Sequence, residues 1–101
     1  MEKRVPHHSL AAIKAAFADS STINRTFVSK QGADDLKMTD AQVVAVIQAL
    51  TLADFDKSMT SFANHKIWQD VYRPAAAGTS LYVKFTTDSM GAYLLISFKE
   101  A

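Results

Sequence analysis

The hydrophobic period of this chain changes near its middle, and that change restricts the possible folds more than any other feature. In the first half, apolar residues recur at three- and four-residue spacing, which is typical of amphipathic helices. In the second half, apolar and polar residues alternate, which is typical of half-buried strands. Helices followed by strands predict an α+β fold, with N-terminal helices packed on a twisted, mainly antiparallel sheet. A chain of 101 residues is expected to form a single domain, 1–101.

The helical half divides into three segments. Residues 9–18 carry an apolar stripe among alanines, and residues 26–36 can form a second short helix, although Gly32 weakens that prediction. The third helix has a clearer start, because Thr39 and Gln42 have the spacing of a capping box. An apolar stripe of helical period then follows over residues 43–50.

The second half contains four predicted strands, over residues 56–62, 67–73, 81–86 and 94–99. Short connections favour antiparallel neighbours, and alternate residues of a strand share a face. The alternation in the third strand places Tyr82 on the face away from the helices. Assigning Leu94, Ile96 and Phe98 to the helix-covered face likewise places Lys99 on the open face. For the first two strands, alternation alone leaves both orientations open.

Composition excludes several classes of protein. The chain is 49% hydrophobic, with no apolar run long enough for a membrane helix and no apolar signal segment near its first residue. It has no cysteine, which excludes disulfides and thiolate metal sites, and a cytoplasmic location is expected. The net charge of +1 is too small to favour a DNA-binding regulator that acts alone. Any basic face should come from the C-terminal half, because five basic and three acidic residues lie from Lys57 onward.

A possible site emerges if the four strands lie side by side. Lys57, Gln69, Tyr82 and Lys99 would then share one face. Two lysines, a phenol and an amide, without a carboxylate pair, suit an anionic phosphodiester substrate. Taken singly, each of these residues is more often a surface or packing residue, so the residues alone give this site only weak support.

Several segments carry a resemblance to a known family, the motility quorum-sensing regulator (MqsR) toxins of type II toxin–antitoxin systems. The similarity runs nearly end to end and is most specific in the segment Ile67 to Pro74. The matching segments are residues 1–4, 6–7, 54–55, 57–60, 67–74 and 96–100, together with Tyr82 and Lys84. The region from Asp19 to Leu50 matches only in its pattern.

The resemblance implies a RelE-like fold and an endoribonuclease that cuts single-stranded mRNA at GCU-type sites without a metal ion or other cofactor. The residues that the family treats as catalytic fall on Lys57, Gln69, Tyr82 and Lys99. We expect further RNA contacts from Arg73, Lys84 and Met59. The implied partner is an antitoxin with a zinc-binding N-terminal domain and a helix-turn-helix C-terminal domain, so that DNA is reached only through the antitoxin. No membrane interaction is implied.

One departure from the family pattern supports an alternative function. Asp56 stands where an aromatic residue is expected, and a carboxylate beside the site would repel phosphate. The alternative is a catalytically weak module that binds an antitoxin and acts mainly in autoregulation of its operon. For either function we expect an antitoxin strand to extend the sheet, with residues 56–62 as one candidate edge. We interpret His7 as part of the helix entry and His65 as a loop residue.

Overall fold

Three helices precede most of the sheet along the chain, as the change of hydrophobic period predicts. The computed structural model describes all residues, 1–101, and confirms the α+β fold. The helices are α1 (Leu10–Ala16), α2 (Phe27–Asp35) and α3 (Asp40–Gln48). The strands are β1 (Glu2–Lys3), β2 (Phe55–Thr60), β3 (Trp68–Tyr72), β4 (Ala75–Ala76), β5 (Thr79–Thr87) and β6 (Tyr93–Glu100). A single 3-10 turn, Leu52–Asp54, leads into β2.

Each helix begins at a hydroxyl residue that accepts a hydrogen bond from a backbone N–H of the first turn. Ser9, Thr26 and Thr39 fill this role for α1, α2 and α3. Thr39 and Gln42 form the predicted reciprocal capping box. The first helix is shorter than predicted, because the chain leaves helical geometry at Phe17, whose side chain is buried in the core.

All strands pair antiparallel in one sheet. The order across the sheet is β1, β2, β3, β5, β6, and β4 pairs with the first residues of β5. Strand β1 takes the outer edge of β2, where Glu2 lies opposite Met59 and Lys3 opposite Ser58. The candidate edge at residues 56–62 is therefore only partly free, because the N-terminal residues of the chain pair with Ser58 and Met59.

A shift in the pairing of β5 with β6 reverses the alternation of β6 at Ile96. Lys84 pairs with Ser97, whereas Phe85 pairs with Leu95, so Ile96 is an extra residue. One extra residue moves all preceding side chains to the opposite face. Leu95 is therefore fully buried, and the prediction that Leu94 and Ile96 face the core is wrong. The prediction for Lys99 does not depend on this shift, because alternation beyond Ser97 is regular.

The core lies between the helices and one face of the sheet. Tyr72, Leu81, Val83 and Phe85 from β3 and β5 are fully buried there. The remaining core side chains are Ile13, Phe17, Ala33, Val43, Ile47, Leu50, Leu95 and Phe98. The longest helices, α2 and α3, have nine residues each, and none of the three could span a lipid bilayer.

Helix α2 lies directly against the backbone of β6. A β-carbon at Gly32 would collide with the carbonyl oxygen of Phe98. Gly32 is thus required for the close approach of the helix to the strand. From the sequence alone, this glycine only weakened the prediction of a helix. The N–H of Thr26 also donates to the carbonyl of Leu95 at 3.0 Å, so the start of α2 is bonded to the same strand.

Candidate active site

Strand register brings the four predicted catalytic residues to one face of the sheet. Residues directly opposite each other in antiparallel strands project from the same face. Lys57 of β2 and Lys84 of β5 both lie opposite Val71 of β3, one on each side. Tyr82 lies opposite Lys99 of β6. The side that they share, here called the open face, is opposite the helices and carries Glu2, Lys57, Met59, Gln69, Tyr82, Lys84, Ser97 and Lys99.

The ring of Tyr82 is the common neighbour of three basic side chains. The Nζ of Lys99 lies 5.3 Å from the ring centroid, and the Nζ of Lys84 lies 5.8 Å from it. The guanidinium carbon of Arg73 lies 5.8 Å from the same centroid. These distances allow attraction between each cation and the ring quadrupole, which partly offsets the mutual repulsion of the cations. The open face is therefore electropositive, although the whole chain is nearly neutral.

Lys84 has a more central position than the sequence indicated. It is half-buried in β5, between Lys57 on one side and Lys99 on the other. Burial, then Lys99, then Lys57, lower the pKa of Lys84 below the ordinary lysine value. A lysine with a lowered pKa can exchange a proton near neutral pH more readily than a free lysine. The sequence signal for this position is that Lys84, like Tyr82, alternates with the apolar residues of β5 and so shares a face with Tyr82.

Ion pairs connect the open face to strand β1 and to Asp56. The Nζ of Lys57 lies 3.4 Å from a carboxylate oxygen of Glu2. Asp56 is the extra residue in β2 at the register shift between Phe55 and Lys57. Its carboxylate lies 3.6 Å from an Arg4 nitrogen and 4.0 Å from Arg73 Nε. Two arginines thus offset the negative charge that was expected to repel phosphate.

The segment from Trp68 to Tyr72 divides its residues between the two faces. Gln69 is on the open face, whereas the fully buried Asp70 projects to the helix side. Asp70 accepts hydrogen bonds from the backbone N–H of His7 at 3.1 Å and of His8 at 2.8 Å. It also accepts one from the hydroxyl of Ser58 at 2.6 Å. Asp70 therefore anchors the chain between β1 and α1, while Gln69 beside it lies on the open face.

The two adjacent histidines lie on the helix-covered side of the sheet. The ring of His7 stacks on that of Trp68 with centroids 5.2 Å apart, and Lys3 Nζ lies 2.9 Å from its Nδ1. Partial burial and the positive charge of Lys3 lower the pKa of His7. His65 is an exposed loop residue, as predicted. His7 is thus structural, which matches its interpretation as part of the helix entry.

Comparison with known proteins identifies the family. The family described as "Motility quorum-sensing regulator, toxin of MqsA" matches residues 5–100. A relative from Escherichia coli (strain K12), named "mRNA interferase toxin MqsR", is 38% identical over 100 residues, which is 99% of this chain and 99% of the relative. These matches cover the helical half as well as the sheet, including the region where the sequence resembled the family only in pattern. The chain belongs to the motility quorum-sensing regulator toxin family.

Proposed function

We propose that this protein is the toxin of a type II toxin–antitoxin pair and an mRNA interferase whose active site is the open face of the sheet. Its family and its relative are those of an endoribonuclease toxin. The observation that carries the location of the site is the grouping of Lys84, Lys99 and Arg73 around the ring of Tyr82. A half-buried phenol surrounded by cations suits a phosphodiester that gains negative charge during reaction.

RNA supplies its own nucleophile, so the protein has to position and protonate rather than attack. The 2′-oxygen of one nucleotide bonds to the adjacent phosphorus as the bond to the 5′-oxygen of the next nucleotide breaks. The products are a 2′,3′-cyclic phosphate and a free 5′-hydroxyl. One proton leaves the 2′-hydroxyl to a base, and an acid gives one proton to the 5′-oxygen. No water is consumed in this step.

The side chains of the open face fit these requirements. Lys57 and Lys99 lie on strands at opposite sides of Tyr82 and stabilise the additional negative charge on the phosphate oxygens. Gln69 and Tyr82 position the phosphate or an adjacent base through hydrogen bonds. Lys84, with its lowered pKa, is suited to exchange one of the two protons. Arg73 and Met59 extend the surface for RNA contacts at its margin.

The proposed reaction needs no metal ion or other cofactor, because basic side chains supply the charge stabilisation. The preference for GCU-type sites rests on the resemblance of the sequence to the family. We further propose that the antitoxin partner has a zinc-binding N-terminal domain and a helix-turn-helix C-terminal domain, that DNA is reached only through it, and that the pair acts in the cytoplasm. Since β1 occupies the edge of β2, an added antitoxin strand would pair with β1 or displace it.

The decisive experiment is RNA cleavage by the purified protein in the presence of EDTA. We expect cleavage of single-stranded RNA that leaves a 2′,3′-cyclic phosphate, identified by mass spectrometry. Lys57→Ala and Lys99→Ala should each lower the rate about 10²-fold or more, because each removes charge stabilisation in the transition state. Tyr82→Phe should lower the rate less than Tyr82→Ala, because the ring alone still holds the surrounding cations.

Lys66→Ala is the matched control, because Lys66 is an exposed lysine in the loop between β2 and β3. It should cleave like the unchanged protein. Activity that disappears in EDTA and returns with Mg²⁺ would contradict the metal-free reaction. Tight antitoxin binding without any cleavage would favour the alternative of a weak catalyst that acts in autoregulation. The main argument for that alternative was repulsion of phosphate by Asp56. This argument is weaker because Arg4 and Arg73 offset the charge of Asp56.

A further inference from the structure

We propose that the cleft between α2 and the end of β6 is a nucleobase subsite, which holds one base of the RNA beside the scissile phosphate. The inference rests on the proposed function, because it extends the open face at Lys99. The cleft has a volume of about 270 Å³. Small-molecule sites usually measure roughly 300–1,000 Å³, so a cleft of this size suits a single base rather than a long ligand.

Both walls of the cleft are fixed in position. One wall is a face of α2 that runs from Phe27 to Asp35, and the other is the last part of β6, including Ser97 and Lys99. Gly32 brings the helix backbone against the carbonyl of Phe98, and the N–H of Thr26 is bonded to Leu95. A base that enters the cleft would therefore meet a preformed surface and would not have to order it.

Phe27 provides the aromatic surface that a base needs for stacking. It is the first residue of α2, directly after the capping Thr26, and its side chain is 80% exposed. Val28 beside it is also largely exposed. Proteins bind single-stranded RNA by stacking its unpaired bases on exposed aromatic rings next to basic residues. Lys99 lines the same cleft and supplies the basic residue.

The polar groups of the cleft match a base better than a phosphate. Gln31 lies one helical turn after Phe27 and donates its amide hydrogen to Asp35 Oδ1 at 3.4 Å. The amide oxygen of Gln31 and the second oxygen of Asp35 remain as acceptors for the ring N–H or exocyclic amino group of a base. A carboxylate would repel a phosphate, whereas Lys99 attracts one at the rim of the cleft. A strand with its phosphate at Lys99 can thus place an adjacent base against Phe27.

The test measures binding and cleavage of one short single-stranded RNA by the full-length protein. Binding is measured by fluorescence anisotropy on an RNA with a 2′-deoxynucleotide at the cleavage position, which prevents reaction. A series of the same RNA carries one abasic nucleotide at each flanking position in turn. For the unchanged protein, we expect one abasic position to weaken binding roughly tenfold, which is the size of a lost stacking contact.

Phe27→Ala should weaken binding of the intact RNA by a similar factor, with no additional loss at that one abasic position. Phe27→Tyr should retain affinity, whereas Phe27→Leu should lose it, because leucine is apolar and of comparable size but not aromatic. The control is Phe62→Ala, since Phe62 is a fully exposed phenylalanine in the loop after β2. The control should bind all RNAs of the series as the unchanged protein does.

Three results would overturn the subsite. In the first, Phe27→Ala and Phe27→Leu bind the intact RNA normally. In the second, the losses of RNA affinity caused by Phe27→Ala and by the abasic nucleotide are additive at every position. In the third, Phe27→Ala weakens only antitoxin binding. The last result would assign the cleft to the protein partner. Cleavage is read in parallel on the all-ribose RNA. An unchanged protein that binds but does not cleave would contradict the proposed function while the binding series still decides the subsite.

Discussion

At the scale of single residues, adjacent side chains of β3 have separate tasks. Gln69 is directed to the open face, while Asp70 beside it is fully buried and bonded to the chain before α1. The alternation of a strand allows this division, because successive side chains point to opposite faces. The segment from Ile67 to Pro74, which resembles the family most specifically, thus contains one residue on the open face and one that stabilises the fold.

Asp70→Ala should destabilise the protein strongly. The change leaves the N–H groups of His7 and His8 and the hydroxyl of Ser58 without their acceptor. We expect the free energy of unfolding to fall by about 3 kcal/mol or more, measured by urea denaturation. Asp34→Ala is the control, because it removes only an exposed pair with Lys30 and should cost less than about 0.5 kcal/mol. Equal stability of the two variants would contradict an anchoring role for Asp70.

At the scale of elements, the contact of α2 with β6 connects the helical layer to the candidate site. Gly32 permits that contact, and the residue that follows Phe98 on the strand is Lys99. At the opposite edge of the sheet, β1 places Glu2 beside Lys57. Each outer lysine of the open face is therefore positioned by an element that borders the sheet, while Tyr82 and Lys84 on β5 are held by pairing on both sides.

Gly32→Ala should lower stability although alanine favours helices by about 1 kcal/mol relative to glycine. The added β-carbon would collide with the Phe98 carbonyl and force α2 away from β6, which should cost roughly 1–3 kcal/mol. The cleavage rate should also decrease, because Lys99 follows Phe98 directly in β6 and a shift of this strand would move it. Both quantities can be measured on one preparation, by urea denaturation and by RNA cleavage.

Gly78→Ala provides a useful contrast. Gly78 has a φ of +76°, and no atom lies within 4 Å of the point that an added β-carbon would occupy, so only backbone strain of about 1–2 kcal/mol is expected there. That variant should lose stability and keep full activity. A Gly32→Ala protein that is as stable as the unchanged protein would show that α2 and β6 are not in close contact.

At the scale of the whole molecule, the near-neutral net charge conceals a strong separation of charge. The net charge is only +1, yet the open face collects Lys57, Lys84 and Lys99 from three strands of the sheet. A basic surface attracts RNA by replacing the cations bound to its phosphates, and that attraction weakens with salt. Overall charge is therefore a poor guide to the charge of a single face of this protein.

Stability should decline as the pH falls below the ordinary pKa of histidine. Partial burial and Lys3 lower the pKa of His7 from 6.5, so below about that pH the unfolded chain binds a proton more readily than the folded chain. The free energy of unfolding should therefore begin to fall as the pH drops through 6.5 and continue to fall until the folded-state His7 is also protonated. Three aspartates with lowered pKa, Asp19, Asp40 and Asp88, act in a more acidic range, below their ordinary value of 3.8.

The measurement is urea denaturation as a function of pH. His7→Asn should flatten the decline, because its amide cannot take up the proton. His65→Asn serves as the control, since His65 is exposed in a loop, and should leave the decline unchanged. An unaltered pH profile in His7→Asn would show that the stacked ring of His7 titrates alike in the folded and unfolded states.

Local patterns in the sequence determined the class of fold and the face on which two of the candidate site residues lie. The change of period predicted helices before strands, and the capping box predicted the start of α3 at Thr39. Alternation placed Tyr82 on the open face because β5 has a distinct apolar side, and it placed Lys99 there because the neighbouring Phe98 faces the core. The assignment of Lys57 and Gln69 to the site came from the family resemblance, since their strands carry polar and apolar residues on both sides.

Only the tertiary structure decided how these elements meet. The partner of each strand residue placed Lys57, Gln69 and Lys84 on the same face as Tyr82. The extra residue at Ile96 reversed which side chains of β6 before it face the core. The pairing of β1 with Ser58 and Met59 covered part of the edge of β2. Hydrophobic period is a local property, whereas register, edge order and the close approach at Gly32 depend on contacts between residues far apart in the chain, which a period cannot encode.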